Sequence, residues 1–590
     1  MNNRAALLCA SMIALGISST VASAQDAGAR PAGATAANDA GDIVVTARKR
    51  QESVLEVPVV TTIISQEQIN NRQIADLTDI STLTPGLLLG ESAADIGTQI
   101  SIRGVGTNSI DSGIDQSISL NLDGLQVTQG SAYSVGVFDM AQIEVLKGPQ
   151  ALFFGKNSPG GVVSIRTADP GPNLEVIGRL GYEGVAKEWR GDAIVSGPLS
   201  DTLGVRIATR YSDMKGYFRN TAVANTAFGA VQPPRDFGKA TSLLMRGTVV
   251  FDPSSRFKLR LKANYTRDRQ EDSSPFQLSS CPEGTSNYLP IPGLSFYSPN
   301  EDCKVDRNLN LVDLNPAAFG GLANNGRVFN YIDQYFGTVE MNYELSDRLS
   351  LTSVTGYYKL KYNGMINGSL SGGAGTPLAA QKSLEREDIT EEIRLSSDFE
   401  GPINFTAGGF YQKGKIDVNA VLAGNTTLGL PARLQEGTHH VKIRSGSLFG
   451  QLRYNVTPEL ELAGGVRWTR ETRSDFGATA LFGGPFVNLR PPGLSTNNWS
   501  PELTLTYKPT ADLTFFGSLK QAYKSGSYNL IVPIDPANPD NSFGDEKVQG
   551  GEIGLPDVGA SLPFRGRLEH ALFVQDGFDR GRHAPSALSR

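Results

Sequence analysis

The chain has 590 residues, of which 54 are Lys or Arg and 60 are Asp or Glu, so 19% carry charge against roughly 25% in ordinary soluble domains. A net charge of −6 supplies no basic excess to neutralise phosphates, which argues against a nucleic-acid partner. No run of 18 apolar residues occurs, so a helical membrane protein is excluded, leaving a soluble multidomain protein or a membrane barrel whose apolar residues alternate with polar ones.

Residues 1–24 carry one basic residue, Arg4, then an apolar stretch over 5–17 and the small-residue site Ala22-Ser23-Ala24. This is the pattern of a secretory signal peptide, so the mature protein is expected to begin at Gln25, outside the cytoplasm. Residues 25–41 are rich in Ala, Gly, Asp and Pro without periodicity and read as a disordered leader. A β-prone run at 42–47 breaks it: Asp42, Ile43, Val44, Val45, Thr46 and Ala47, with Ile43 and Val45 on one face and Val44 and Thr46 on the other.

From 48 to 170 the predicted elements are short. Residues 59–65 (VVTTIIS) read as a strand, and Ile69, Ile74, Leu77, Ile80 and Leu83 are spaced as on one helix over 66–83 that Pro85-Gly86 ends. Further strands are expected over 99–103, 119–122, 142–146 and 161–167, giving a compact α+β unit with Gly-rich turns. The stretch 148–156 (GPQALFFGK) resembles a phosphate loop only superficially. It has six residues between its glycines rather than four, and Asn157 stands where Ser or Thr would hold Mg²⁺.

Over 171–555 long period-2 segments take over. Phe257, Leu259, Leu261, Ala263 and Tyr265 face one way and Lys258, Arg260, Lys262, Asn264 and Thr266 the other; Leu460 to Trp468 repeats the pattern. Segments of ten or more residues exceed the usual strand of 5 to 6 and match a tilted bilayer-crossing strand. Short polar turns centred near 253, 346, 400, 457 and 510 alternate with long Gly, Asn and Pro-rich loops, and the last four centres are 53 to 57 residues apart. A sandwich shows turns every 8 to 12 residues, so the pattern predicts an all-β transmembrane barrel, closed because lipid offers no hydrogen-bond partners.

Within one of the loops, Cys281 and Cys303 lie in a Pro, Asn and Ser-rich stretch; an oxidising compartment favours a loop disulfide, with metal binding as the alternative. His439 and His440 are neighbours in a strand, so they point to opposite faces and do not chelate one metal together. No nucleophile-elbow, zincin or paired-Cys motif occurs, so no enzyme and no resident cofactor or metal is expected.

Four stretches resemble the TonB-dependent outer-membrane receptors of Gram-negative bacteria: 42–47 (DIVVTA, similar to the TonB box), 99–106 (QISIRGVG), 122–127 (LDGLQV) and 143–167 (IEVLKGPQALFFGKNSPGGVVSIRT), the last close to the plug signature. By that resemblance residues 48–170 are a plug inside a barrel that has 22 strands in the family. The partners implied are the periplasmic domain of TonB, outer-membrane lipid, and a ferric siderophore or other large nutrient. The segment 42–47 then adds as a strand to TonB. Arg103, in the IRG motif, is expected in a plug–barrel charge cluster, with Glu391 and Glu392 as candidate barrel partners. Gly104, Gly148, Gly155, Gly160 and Gly161 are expected at plug turns. A passive porin-like channel and a soluble β-rich adhesin are the alternatives.

The C-terminal part departs from the family. Dividing 171–555 by the hairpin repeat gives about 14 strands rather than 22, some 180 residues short. Residues 556–590 lose alternation, hold five Arg and no Lys, and end in Arg590 rather than an aromatic residue. The expectation is a truncated or frameshifted copy whose out-of-frame tail starts near Pro556.

Overall fold

The computed structural model describes residues 44–46, 48–50, 52–53, 57–72, 74, 76–91, 98–107, 111–130, 132, 138–272, 277, 303–368, 378–510, 513–530 and 540–554. The expected signal peptide, leader and tail, together with Asp42, Ile43, Ala47 and Cys281, lie outside them.

The plug is built on a five-stranded sheet in the order Thr61–Ser65, Met140–Lys147, Gly161–Thr167, Ile118–Leu122, Leu125–Val127. Only the Gly161–Thr167 and Ile118–Leu122 pair is parallel. A second sheet joins Leu87–Glu91, Thr98–Ile102 and Val105–Gly106. The single helix predicted over 66–83 is two, α1 (Gln66–Asn71) and α2 (Leu77–Leu83), each opened by its own capping box, Ser65 with Gln68 and Asp76 with Asp79. Ile69, Ile74, Leu77 and Ile80 are all buried in one core, so the apolar spacing runs unbroken through a chain break that only Asp76 marks. A third, four-residue helix, α3 (Ala151–Phe154), occupies the stretch that resembled a phosphate loop, its side chains entirely buried.

Fourteen antiparallel strands follow in sequence order as one sheet: Glu175–Glu183, Glu188–Ser200, Leu203–Met214, Lys239–Ser254, Phe257–Glu271, Phe329–Ser346, Leu349–Asn367, Leu378–Ser397, Ile403–Gly424, Gln435–Thr457, Leu460–Leu481, Leu494–Thr510, Leu513–Lys524 and Glu546–Gly554. A short strand, Val487–Leu489, pairs beside the path. Register is continuous over most ladders, for example from Leu349↔Ser397 to Asn367↔Ala379, because strict alternation leaves each strand one face to bury.

Each strand divides its residues between two surroundings. On Leu378–Ser397, Leu384, Arg386, Asp388, Thr390 and Glu392 are buried toward the lumen, while Ile389 and Ile393 are half exposed outside. The outer face carries Val339, Leu448, Leu452, Val466, Leu503 and Leu519 in the open. Aromatic side chains border this apolar surface at two levels, Tyr265–Tyr335 and Trp468–Trp499 at one and Phe257–Tyr343 and Tyr507–Phe515 at the other. Tyr335 and Tyr343, like Trp499 and Tyr507, are eight positions apart on one strand, about 26 Å along it. After a tilt of about 40° that leaves about 20 Å across a bilayer, somewhat less than the roughly 25 Å of a typical lipid-facing band.

At one end the loops fold inward as a packed cap. Three of them carry the same device, an Asn whose side chain caps a 3-10 turn closed by a left-handed Gly: Asn225 with Gly229, Asn315 with Gly320, and Asn425 with Gly429. Two short pairings, Phe218–Asn220 with Asp236–Phe237 and Asn308–Leu309, and Ala230–Val231 with Asp313–Leu314, tie these loops together. Burial pushes the Asp313 carboxyl up to about 7; Arg327, whose Nε lies 3.7 Å away, opposes the rise and nearby Asp272 adds to it. The folded cap thus binds a proton that the unfolded chain releases near its ordinary carboxylate pKa, so the stability it supplies is complete in acid and is lost as pH rises through about 7. Hydrogen exchange of residues 308–328 is expected to lose protection progressively between about pH 4 and 7, and Asp313→Asn to remove that pH dependence.

Candidate functional site

The site is the contact between plug and lumen. At its lower edge Val44–Val45 pairs antiparallel with Glu52–Ser53, and Val45 is fully buried against Val57, Val59, Leu146, Phe153 and Phe154. The Thr46 N–H and hydroxyl donate to the Glu144 carboxylate at 3.0 to 3.1 Å. Burial pushes that carboxyl up in spite of these bonds. The basic residues that follow bind the barrel at two strands and the turn after one of them. Arg48 forks onto Glu52 at 2.8 Å and reaches Glu461 at 2.9 Å, Lys49 lies 3.6 Å from Glu392 and over the Phe154 ring, and Arg50 reaches Asp398 at 3.0 Å. Sequence reasoning passed over this run; three consecutive cations after the β-prone run 42–47 were the signal.

Deeper in the lumen Asp115, 1% exposed, accepts from Arg386 at 2.9 Å and from Arg473 at 2.6 Å. Burial alone would raise the Asp115 carboxyl, but the two guanidiniums together hold it well below the ordinary range. Each arginine keeps a second anion on its own strand, Asp388 for Arg386 and Glu471 for Arg473, and Glu471 also takes plug Lys156. Six buried charges of balanced sign therefore join two plug loops to two barrel strands. Elsewhere Arg206 clamps Asp139 at 2.6 Å, and Lys262 contacts Asp123, Asp169, the Thr167 carbonyl and the Thr167 hydroxyl at 2.7 to 3.1 Å. The segment after the strand Leu513–Lys524 turns inward over the plug: Ser525 N–H donates to Asn157 Oδ1, and Leu530 N–H to Asp111.

Arg103 does join a barrel carboxylate, but the partner is Glu552, at 2.9 Å, and neither Glu391 nor Glu392. The correction follows from strand geometry. Neighbours on a strand face opposite ways, so Glu391 points outward to Ser353 and Thr355, while Glu392 points inward and is taken by Lys49 and Arg394. Gly104, Gly148 and Gly155 adopt positive φ. Gly161 combines φ +143 with a site where a Cβ would run into the Leu146 carbonyl, and Gly160 sits against Ile118 and the Val105 carbonyl with no such φ. Cys303 is disulfide-bonded; Cys281 lies outside the described residues. His439 and His440 do face apart, the first buried on Asp475 and the second exposed on Asp417.

Removing the shared anion leaves two buried guanidiniums each one partner short. Asp115→Asn is expected to cost about 3 kcal/mol, read as a lower unfolding temperature of the detergent-solubilised protein and faster proteolysis of the plug. The exposed partner of Arg50 is the contrast, and Asp398→Asn should cost less than about 0.5 kcal/mol.

Two family models match this chain. The TonB-dependent receptor plug domain covers residues 53–162, and the TonB-dependent receptor-like β-barrel covers 275–568, which reaches past Leu555 into the terminal segment. Among curated relatives, the ferrioxamine B receptor of Salmonella typhimurium is 27% identical over 270 residues, 44% of this chain and 35% of the relative. The iron-regulated outer membrane virulence protein of Vibrio cholerae is 29% identical over 178 residues, 28% of this chain and 26% of the relative. The chain thus matches about a third or less of the length of these relatives. Among solved structures, the ferric yersiniabactin uptake receptor FyuA from Yersinia pestis superposes with a TM-score of 0.70 at 16% identity, over 85% of this chain and 70% of the other, and shares its fold. A plug signature, a seated plug and a long-stranded sheet around it, each matched independently, place this chain in the family of TonB-dependent receptors.

Proposed function

We propose that this protein is an active importer in the outer membrane that takes up a large, scarce nutrient, a ferric siderophore, by binding it above the plug and moving the plug with force supplied through TonB. The observation that carries this reading is the handle. An extended strand, Val44–Val45, sits at the lumen mouth, and its neighbour Thr46 is held by a single carboxylate, Glu144. Strand addition to a periplasmic TonB domain would compete for the same backbone groups, and a pull along the chain reaches Arg48 and then the plug core.

The reading is supported by relatives named for ferrioxamine B and for ferric yersiniabactin. The chelated iron is cargo here and not a resident cofactor, and transport rather than catalysis is the activity. A passive channel gives no account of the plug side chains that, among the described residues, pack against the wall, and a soluble adhesin gives no account of the apolar band between two aromatic levels.

The test is uptake of ferrioxamine B by cells whose own receptors are deleted. Ile43→Pro removes a backbone N–H from the 42–47 segment and is expected to lower energised uptake at least about tenfold while leaving binding to de-energised cells unchanged. Unchanged uptake by the variant would sink TonB coupling, and uptake that persists in de-energised cells would restore the passive channel.

A further inference from the structure

On the outer face of the barrel, four adjacent strands, Leu378–Ser397, Ile403–Gly424, Gln435–Thr457 and Leu460–Leu481, enclose a groove of about 640 Å³. Its sides are Ile393, Tyr411, Leu448 and Trp468, and its floor is Gly409 and Gly446. A Cβ at Gly446 would meet nothing within 4 Å, so the floor there is bare backbone. A second groove, of about 470 Å³, continues toward the short-turn end over Ala407, Gly450 and Gly464, beside Leu452 and Val466. Gly409 pairs with Leu448, and Ala407 pairs with Gly450, which pairs with Val466. The two grooves are therefore successive steps of one furrow that runs down the strands through the apolar band.

At its cap end the furrow runs into a cluster of cations. Arg470 is two residues beyond Trp468, Lys413 lies directly opposite Arg444, and Lys415 lies directly opposite Lys442 on the neighbouring strand, all five exposed. Cβ atoms directly opposite are about 5 Å apart, and successive outward residues of one strand are about 7 Å apart, so four like charges stand at the corners of a small rectangle. Like charges placed opposite one another destabilise a sheet. The carboxylates that face outward beside them are Glu387, Glu391 and Asp417. Glu387 takes Lys415 at 3.0 Å, Asp417 takes His440 at 2.7 Å, and Glu391, in the groove wall, accepts from the hydroxyls of Ser353 and Thr355. One pair nearer the cap, Glu385 takes Lys359 at 2.8 Å and that pair is neutral. Five cations thus meet three carboxylates. Lys413, Lys442, Arg444 and Arg470 make no ion pair or side-chain hydrogen bond among the described residues.

We propose that this furrow docks a phosphorylated, multiply acylated lipid of the outer leaflet, with a phosphate over the rectangle of Lys413, Lys415, Lys442 and Arg444 and one acyl chain along the glycine floor. The two halves of the site call for one molecule: an anion relieves the repulsion at the head, and a flexible chain fills a furrow in the apolar band without carrying polar groups into it. A free phosphate would leave the furrow empty. A second copy of this chain, related by a two-fold axis, would bring the same cations face to face. The leaflet rests on the importer reading, which turns the cap outward; the site itself rests on the barrel wall.

The test is native mass spectrometry of the full chain, purified in a non-ionic detergent, with diphosphoryl lipid A, the same lipid stripped of both phosphates, and inorganic pyrophosphate. One diphosphoryl lipid A per chain is expected, bound at least about tenfold more tightly than the stripped lipid and not displaced by equimolar pyrophosphate. Lys442→Gln combined with Arg444→Gln should abolish the preference for the phosphorylated lipid, and Gly446→Leu, which fills the floor, should weaken both lipids. Unfolding temperature gives an independent sign: the double variant should unfold at a higher temperature than the unaltered chain without lipid, because like-charge pairs are relieved, and should lose the rise that diphosphoryl lipid A gives the unaltered chain. Equal binding of the two lipids, an unchanged preference in the double variant, or displacement by pyrophosphate would overturn the proposal. So would a lipid-free dimer that Gly446→Leu breaks, which would make a second copy the occupant. These readouts need no transport, so failed ferrioxamine uptake by the unaltered chain would count against the importer reading and leave the lipid result in place.

Discussion

A strand that crosses lipid can place apolar side chains on only one of its faces, and in this protein the other face is charged. Arg386, Asp388, Glu471 and Arg473 project into the lumen with almost no exposure to solvent. A charge in that position is tolerable only when paired and hydrogen-bonded. These four already pair within their own strands, and the seated plug gives Arg386, Arg473 and Glu471 each a further partner, Asp115 for the two arginines and Lys156 for the carboxylate.

The plug's attachments include ion pairs distributed around the rim, among them Arg103 to Glu552, Arg206 to Asp139, and Lys262 to the Asp123 turn, beside an apolar core shared with wall residues such as Phe336, Tyr358 and Leu384. Polar contacts of this kind can be exchanged for water one at a time, whereas an apolar interface of equal area separates only as a whole. On one side, where Phe153, Phe154 and Phe449 pack together, the contact is apolar. Beside these rings the contact is polar and encloses space that Phe154 itself lines.

The strand pattern was legible because its cause is local. Alternation and the hairpin repeat of 53 to 57 residues gave about fourteen strands, and the sheet path has fourteen among the described residues. The plug strands were placed to within two residues, yet one helix was expected where there are two, because periodicity continues across Asp76 while the capping box that restarts the chain occupies only Asp76 and Asp79. The short strands Leu87–Glu91 and Leu125–Val127 went unseen, since each is a few residues beside a glycine turn with no alternation of its own. The cap was read as loops; its three Asn-capped turns recur with a common Asn and a closing Gly, a signal present in the sequence at 225–229, 315–320 and 425–429.

What the sequence by itself determined is which residues of the long strands face outward, which face the lumen, and which stretch forms the plug, because a period of two and the spacing of turns are properties of a single strand and its neighbours. Only the tertiary structure decided which lumen charge meets which plug charge. Asp115 finds Arg386 and Arg473 across 271 and 358 residues, and Arg103 finds Glu552 across 449. The partner depends on the stagger of every intervening strand and on the rotation of the plug within the sheet. A one-residue change of register would present the other face of the strand, and so no local pattern of residues could have specified the pairs.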